Sequence, residues 1–452
     1  MSMVRRTSRA HRLALWMNGE RVGTWSMVQG KDHLQYEDDW LQSVHARPLS
    51  LTLPFTPGNQ PHKGAVVGAW FDNLLPDSNE LRQRIASRFK TKGQSTFELL
   101  AEVGRDSVGA IRLLPEGAEL DDVKVISAQA MSEADVAQLL RNATATAPMS
   151  LADWDANDFR ISLAGAQEKT ALLKLKDQWA RPLGATPTTH ILKLPLGLVG
   201  NMQMDMKASV ENEWLCAQIL KAFGLPVADC EMVQFEDIKA LSVERFDRAW
   251  SSTGTWLMRL PQEDMCQALG YPGHQKYEAD GGPGIDQILR LLHGSIRAEE
   301  DKHHFIKAQF LFWLLGASDG HAKNFSVQLK PGGKYAMAPL YDVLSVYPVV
   351  GNGRGQVSPH KVRMAMAVRS KNAHWKMQEI LPRHWHALAK RHGVAPKGDE
   401  SPYEQVIGQM QGAIEQVQAL LPPGFEAYLF ERITTGMSAN AKRFMKAAGA
   451  AE

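Results

Sequence analysis

The chain opens on alternation. Leu13 to Thr24 switches between apolar and polar positions with the period of two expected of half-buried strands, and Leu49 to Pro54 repeats the pattern briefly. Helical spacing takes over around Asn79 to Phe89, so residues 12–115 read as an N-terminal α/β domain. An acidic stretch, Glu116 to Asp122, and a small-residue run, Asn142 to Ser150, flank one helix and make 116–150 a connector. From 151 to 247 strands alternate with a single helix. The strands are Asp158 to Leu163, Thr170 to Leu175, Thr189 to Pro195, Glu231 to Phe235 and Lys239 to Val243. The helix starts at Ser209, a good N-cap, and stops before Gly224 and Pro226. Residues 248–440 are mainly helical in pattern, except for Phe325 to Leu329 and Lys334 to Leu340, a hairpin about Pro331-Gly332-Gly333. Tyr403, Ile407, Met410, Ile414, Val417 and Leu421 recur at steps of four and three, a stripe expected to bury inside its own domain. The fold class is α+β, an N-terminal α/β domain followed by two lobes with a cleft between them.

Composition narrows this picture. With 452 residues, 44% of them hydrophobic, the chain has material for two or three packed domains and is not disordered. A net charge of +2 gives no general case for nucleic-acid binding. Arg5, Arg6, Arg9 and Arg12 form a basic head with no apolar segment behind it, unlike a signal peptide or anchor. Cys216, Cys230 and Cys266 have neither metal-ligand spacing nor an even framework, so a reduced cytoplasm is the expected compartment. The apolar run at Phe310 to Gly316 falls far short of the roughly 20 residues of a membrane span, and no membrane partner is expected.

Candidate chemistry begins at Ala317-Ser318-Asp319-Gly320-His321-Ala322-Lys323-Asn324. An Asp five residues before an Asn, directly after an apolar helix, matches a phosphoryl-transfer loop in which the Asp accepts a hydroxyl proton and the Asn holds Mg²⁺. The hairpin that follows brings the chain back, placing Asp342 beside Asn324 as a second oxygen ligand. Upstream, Ala164-Gly165-Ala166-Gln167-Glu168-Lys169 is a small-residue loop able to bring backbone N–H groups to phosphate, although it is no Walker A motif. Lys193 lies in an apolar strand and requires an anionic partner, for which Glu213 on the next helix is the candidate. Glu244-Arg245-Phe246-Asp247 leaves a strand as an extended segment, with Glu244 to Phe246 suited to read an adenine edge. His321 stands where protein kinases usually have Lys or Arg, Val343-Leu344 follows Asp342 in place of Phe-Gly, and no Ala-Pro-Glu segment occurs. Gly197 to Lys207, rich in Met, is a candidate mobile loop.

These residues belong to longer motifs: Phe71-Asp72-Asn73-Leu74-Leu75-Pro76-Asp77, Gly104-Arg105-Asp106-Ser107-Val108-Gly109-Ala110, Ser162-Leu163-Ala164-Gly165-Ala166-Gln167-Glu168-Lys169-Thr170, Val243-Glu244-Arg245-Phe246-Asp247-Arg248 and Arg259-Leu260-Pro261-Gln262-Glu263-Asp264. With them, nearly the whole chain resembles the HipA family, the serine/threonine kinase toxins of bacterial toxin–antitoxin modules. The resemblance implies a protein-kinase-like fold, ATP and Mg²⁺ as cofactors, Asp319 as catalytic base with His321 beside it, and Asn324 and Asp342 as metal ligands. It further implies Lys193 as the phosphate-gripping lysine and Ser162 as a site of self-inactivating autophosphorylation. A phosphoserine of about −1.5 to −2 charge beside an ATP-phosphate loop would repel nucleotide. The implied partners are a helix-turn-helix antitoxin like HipB, operator DNA reached through it, and glutamyl-tRNA synthetase as protein substrate. The residues alone leave two alternatives, a small-molecule kinase and a non-catalytic scaffold of a repressor complex.

Overall fold

The computed structural model describes residues 12–144, 167, 169–200, 203–394 and 401–449. The N-terminal domain is a sheet of order β4-β3-β2-β1-β5, formed by β1 (Arg12–Met17), β2 (Glu20–Val28), β3 (Lys31–Tyr36), β4 (His62–Lys63) and β5 (Ile111–Pro115). Helices α1 (Asp38–Gln42), α2 (Ala65–Asp72), α3 (Asn79–Arg88) and α4 (Thr96–Val103) complete it. Its core stacks Trp25 on Phe71, ring centroids 3.9 Å apart, above Leu13, Leu15, Leu99 and Leu113. Leu49 to Pro54 is a run of turns, not the expected strand. Side chains take its backbone bonds instead: the Tyr36 hydroxyl binds the Leu49 N–H and the Leu53 carbonyl, and Glu263 accepts from the Leu51 N–H.

The next lobe is a wholly antiparallel sheet of order β12-β13-β9-β7-β8-β6. Its strands are β6 (Ala128–Ala130), β7 (Lys169–Leu175), β8 (Gln178–Pro182), β9 (His190–Lys193), β12 (Cys230–Phe235) and β13 (Ile238–Glu244). The stretch read as a connector joins this lobe: β6 extends the sheet edge, and α5 (Glu133–Thr144) buries Val136, Leu139 and Leu140 against Leu172, Leu192 and Phe235. The candidate mobile loop contains a small hairpin, β10 (Gly197–Val199) with β11 (Met204–Met206). Helix α6 (Ser209–Ala222) is capped by Ala208, whereas Ser209 is its first helical residue and its hydroxyl accepts the Leu196 N–H. Glu211 therefore occupies the first turn and Glu213 the second. The strand read at Asp158 to Leu163 lies outside the described residues.

The last lobe is helical with more β-structure than the pattern suggested. Pairs β14 (Arg248–Trp250) with β15 (Leu257–Arg259) and β19 (Arg363–Arg369) with β20 (Ala373–Lys376) flank a sheet of β16 (Gln262–Asp264), β17 (Ser326–Leu329) and β18 (Tyr335–Met337). The helices are α7 (Met265–Leu269), α8 (Ile285–Leu292), α9 (Ala298–Leu315), α10 (Pro382–Arg391), α11 (Pro402–Ala419) and α12 (Ala427–Gly449). From Phe305 to Leu315, α9 is buried on nearly every side, as a helix apolar all round must be. The stripe on α11 does face its own domain, but it centres on Tyr403, Val406, Ala413 and Val417, with Ile407, Met410 and Leu421 half-buried at its margin. Among the described residues no helix is long and apolar enough to cross a membrane.

Candidate active site

Helix α9 ends at Gly316, in the left-handed region, and releases the chain into the 317–324 loop. A Cβ at Gly320 would lie 2.5 Å from the Phe312 ring, so only glycine lets the loop close onto the helix. The Asn324 amide donates to the backbone carbonyls of Asp319, at 2.9 Å, and Asp342, at 3.4 Å. With its nitrogen so committed, the Asn324 side-chain oxygen is left as an acceptor. The hairpin β17–β18 returns as expected, although β18 is shorter than the run Lys334 to Leu340.

Asp342 has φ 62°, an uncommon conformation for a non-glycine residue, costing of order 1 kcal/mol. Its carboxylate receives the Lys193 ammonium at 2.7 Å, and Lys193 reaches Glu213 at 2.6 Å. Asn212, next to Glu213, exchanges two 2.8 Å bonds with the backbone of Ser345, so α6 fixes the segment behind Asp342. Burial alone would lower the Lys193 pKa, but Asp342 and Glu213 outweigh it and hold the ammonium charged. Burial likewise opposes ionisation of Asp342, and the Lys193 charge reverses that, keeping the carboxyl well below its usual range. Lys169 has a different balance: burial, with Lys193 close by, brings it down to about 8 despite attraction from Asp342.

Asp319 is exposed to the cleft, and one of its oxygens accepts the Tyr277 hydroxyl at 2.6 Å. Tyr277 sets its ring edge against His321, centroids 5.0 Å apart. His321 is buried, burial lowers its pKa, and its Nδ1 has no hydrogen-bond partner among the described residues. His321 lines the cleft, and a neutral imidazole can act as a donor or an acceptor.

The cleft encloses about 1280 Å³ open to solvent and is lined by Lys169, Lys193, Phe246, Asp319, Asn324 and Asp342 among others. At its rear the Glu244 N–H bonds the Asp229 carbonyl and the Arg245 N–H the Thr189 carbonyl. Phe246 leans on Tyr341, ring centroids 5.7 Å apart. The side chains of Arg245 and Asp247 do something the sequence did not reveal. Arg245 holds Asp247 at 2.8 Å, Arg248 and Arg259 hold Asp106 of the N-terminal domain at 2.9 and 3.1 Å, and the Gly109 N–H donates to Asp247 at 2.7 Å. Their charge is spent on joining domains. Glu263 serves the interface too, accepting from the Trp70 indole at 3.0 Å, whereas Asp264 caps α7 and pairs with Lys323 at 3.2 Å within its own lobe.

The structure thus brings together Lys169, Lys193, Glu213, Glu244, Phe246, Asp319, His321, Asn324 and Asp342, with Gln167 bonded to the Leu194 carbonyl at 2.7 Å. Ser162, Ala164, Gly165, Ala166 and Glu168 lie outside the described residues. Tyr277 and Asn212 escaped the sequence reading. Nothing in the type or spacing of either marks it, and the bonds that give them their roles run to Asp319 and Ser345, 42 and 133 positions away.

Comparison with known proteins gives one family. Residues 13–114 match the HipA N-terminal domain and residues 161–418 the HipA-like C-terminal domain. A Sinorhizobium fredii protein named "Putative kinase Y4mE" is 32% identical over 388 residues, 84% of this chain and 86% of that one. The serine/threonine-protein kinase toxin HipA of Shewanella oneidensis is 32% identical over 326 residues, 69% of this chain and 70% of that one. Among solved structures, the Shewanella oneidensis complex of HipA, HipB and operator DNA aligns with a TM-score of 0.76 at 25% identity, covering 97% of this chain and 98% of that one.

Proposed function

This chain belongs to the HipA family, and on that premise we propose that it is a serine/threonine protein kinase acting as the toxin of a toxin–antitoxin pair. The observation that carries the reading is the convergence of Asp319, Asn324 and Asp342 on one cleft that also holds the Lys193–Glu213 pair. Asp319 takes the proton of the attacking hydroxyl, while its second oxygen is held by Tyr277. Lys193, positioned by Glu213, grips the nucleotide phosphates, with Lys169 and the 164–169 loop as further contacts. The Glu244 carbonyl and the Phe246 N–H read the adenine edge. Asn324 and Asp342 present oxygen donors suited to a hard cation and would hold Mg²⁺, which when bound would supply charge neutralisation for the transferring phosphoryl group. Arg245 and Asp247 contribute to the nucleotide pocket through their backbone only.

The partners follow from the same premise. A HipB-like helix-turn-helix antitoxin binds the kinase and carries it to operator DNA, a reading supported by the Shewanella oneidensis structure that holds HipA, HipB and operator DNA together. The substrate is glutamyl-tRNA synthetase, the setting the bacterial cytoplasm, and Ser162 the site of self-inactivation. The direct assay incubates the protein with Mg²⁺-ATP and glutamyl-tRNA synthetase and maps phosphate on the synthetase. Phosphoserine or phosphothreonine appearing with wild type but not with Asp319→Ala supports the reading. An unmodified synthetase beside an autophosphorylated kinase would discard that substrate and keep the kinase.

A further inference from the structure

We propose that the N-terminal domain is a working part of the catalytic centre: Asp77, through Lys276 and Tyr277, and Asn73, through Lys323, are positioning residues for Asp319 and Asn324. The inference rests on the kinase reading above. Asp319 is exposed, and a carboxylate free to rotate would spend little time aimed at an incoming hydroxyl. The Tyr277 hydroxyl pins one of its oxygens at 2.6 Å and leaves the other for proton transfer. Tyr277 is in turn located by its neighbour. The Lys276 carbonyl accepts the Ala322 N–H at 3.2 Å, and its ammonium reaches Asp77 of the N-terminal domain at 2.8 Å.

A second line runs in parallel. Lys323, adjacent to Asn324, is only 3% exposed, and a buried ammonium demands partners. It donates to the Asn73 carbonyl at 3.0 Å and the Asn73 side-chain oxygen at 2.8 Å, with Asp264 at 3.2 Å and Asp77 at 3.8 Å. The Asn73 amide nitrogen bonds the carbonyls of Ala69 and Tyr271, both at 2.9 Å, which turns its oxygen toward Lys323. Two residues of one short motif, Asn73-Leu74-Leu75-Pro76-Asp77, therefore grip the catalytic loop immediately beside its proton acceptor's support and beside its metal ligand. Both also line the cleft, and neither bonds Asp319 or the Asn324 side chain directly.

The experiment uses the full chain with Tyr277→Phe, Asp77→Asn and the double variant, measuring the maximal rate of phosphate transfer from Mg²⁺-ATP and the half-saturating ATP concentration. Each substitution keeps side-chain shape, and thermal melting of each variant identifies any loss of folding. Misplacement of about an ångström lowers turnover by up to about 100-fold, so each single variant should lose roughly 10- to 100-fold in maximal rate. Half-saturating ATP should stay within about twofold, because only the transition-state geometry has changed. The double variant should fall well short of the product of the two single losses, since both act on the support of Asp319 and only Asp77 also reaches Lys323. Wild-type rates in folded variants, losses that multiply in the double, or losses that follow ATP affinity would overturn the inference while the kinase reading stands. A wild type that transfers no phosphate would remove both.

Discussion

Two buried clusters of carboxylates and cations sit about the cleft and do opposite work. At the domain interface Asp106 and Asp247 face Arg245, Arg248 and Arg259, all at most 9% exposed, and further bonds to Thr188, Ser107 and Gly109 satisfy the remaining donors and acceptors. In the cleft Lys193 stands between Glu213 and Asp342, and Asp342 keeps 29% of its side chain exposed. Burial raises the cost of charge in both places, so what separates them is completeness and access. The first cluster has its partners within the fold and acts as a staple. The second holds one carboxylate open to the cleft, where a cation and a phosphate can share its charge.

Breaking the staple should produce the largest effect. Asp106→Ala leaves three arginines without their shared carboxylate, and removing one member of a buried ionic group costs about 3–5 kcal/mol. Calorimetric or denaturant unfolding should show that loss. An unchanged midpoint would reassign the cluster from staple to ornament. In the cleft, Lys193→Met should reduce phosphate transfer by about 10²–10³-fold, the usual scale for one preorganised electrostatic contact. Its melting temperature should fall much less than that of Asp106→Ala, and the reverse order would invert the comparison.

Acid separates the clusters less sharply. The pKa values of Asp106 and Asp342 are both depressed in the folded chain, by Arg248 and Arg259 in one case and Lys193 in the other, against the burial that opposes them. A depressed carboxyl stabilises the fold above its unfolded pKa, about 3.9, and that stability disappears as pH falls through the folded value. Unfolding midpoints measured from pH 5 downward should therefore drop for wild type, and the drop should shrink in Asp106→Ala, which has already lost one of the depressed carboxyls. The smallest effect concerns Lys169, brought down to about 8 mainly by burial. Its charge in the free enzyme is present below that pH and lost above it. Accordingly kcat/KM for ATP should decline by a few-fold as pH rises through about 8, and Lys169→Arg should flatten the decline.

What the sequence disclosed and what it hid divide along the same line. Asp319, Asn324, Asp342 and the Lys193–Glu213 pair were legible because local spacing carries their geometry: a five-residue loop, a hairpin return, a lysine in an apolar strand followed by a helix. Arg245 and Asp247 were placed beside the adenine because they adjoin the hinge, whereas their side chains leave it for a domain more than a hundred residues earlier. Adjacency in a strand fixes backbone position but not where a charge is neutralised. A usable signal existed. Adjacent acidic and basic residues recur at Arg105-Asp106, Glu244-Arg245 and Asp247-Arg248, and buried ions of opposite sign must find each other. Leu49 to Pro54 was misread because side chains, not a neighbouring strand, take up its backbone groups. Tyr277 left no trace because its meaning lies wholly in a bond to a residue 42 positions away.

The central claim, that the open cluster and Asp319 form a working phosphotransfer site, is tested most directly by intact and peptide mass spectrometry after incubation with Mg²⁺ and ATP. Wild type should gain phosphate on Ser162, and Asp319→Ala, which removes a general base worth about 10²–10⁴-fold in rate, should gain none over the same interval. Equal incorporation by both proteins, or none by a folded wild type that began unmodified, would contradict the account.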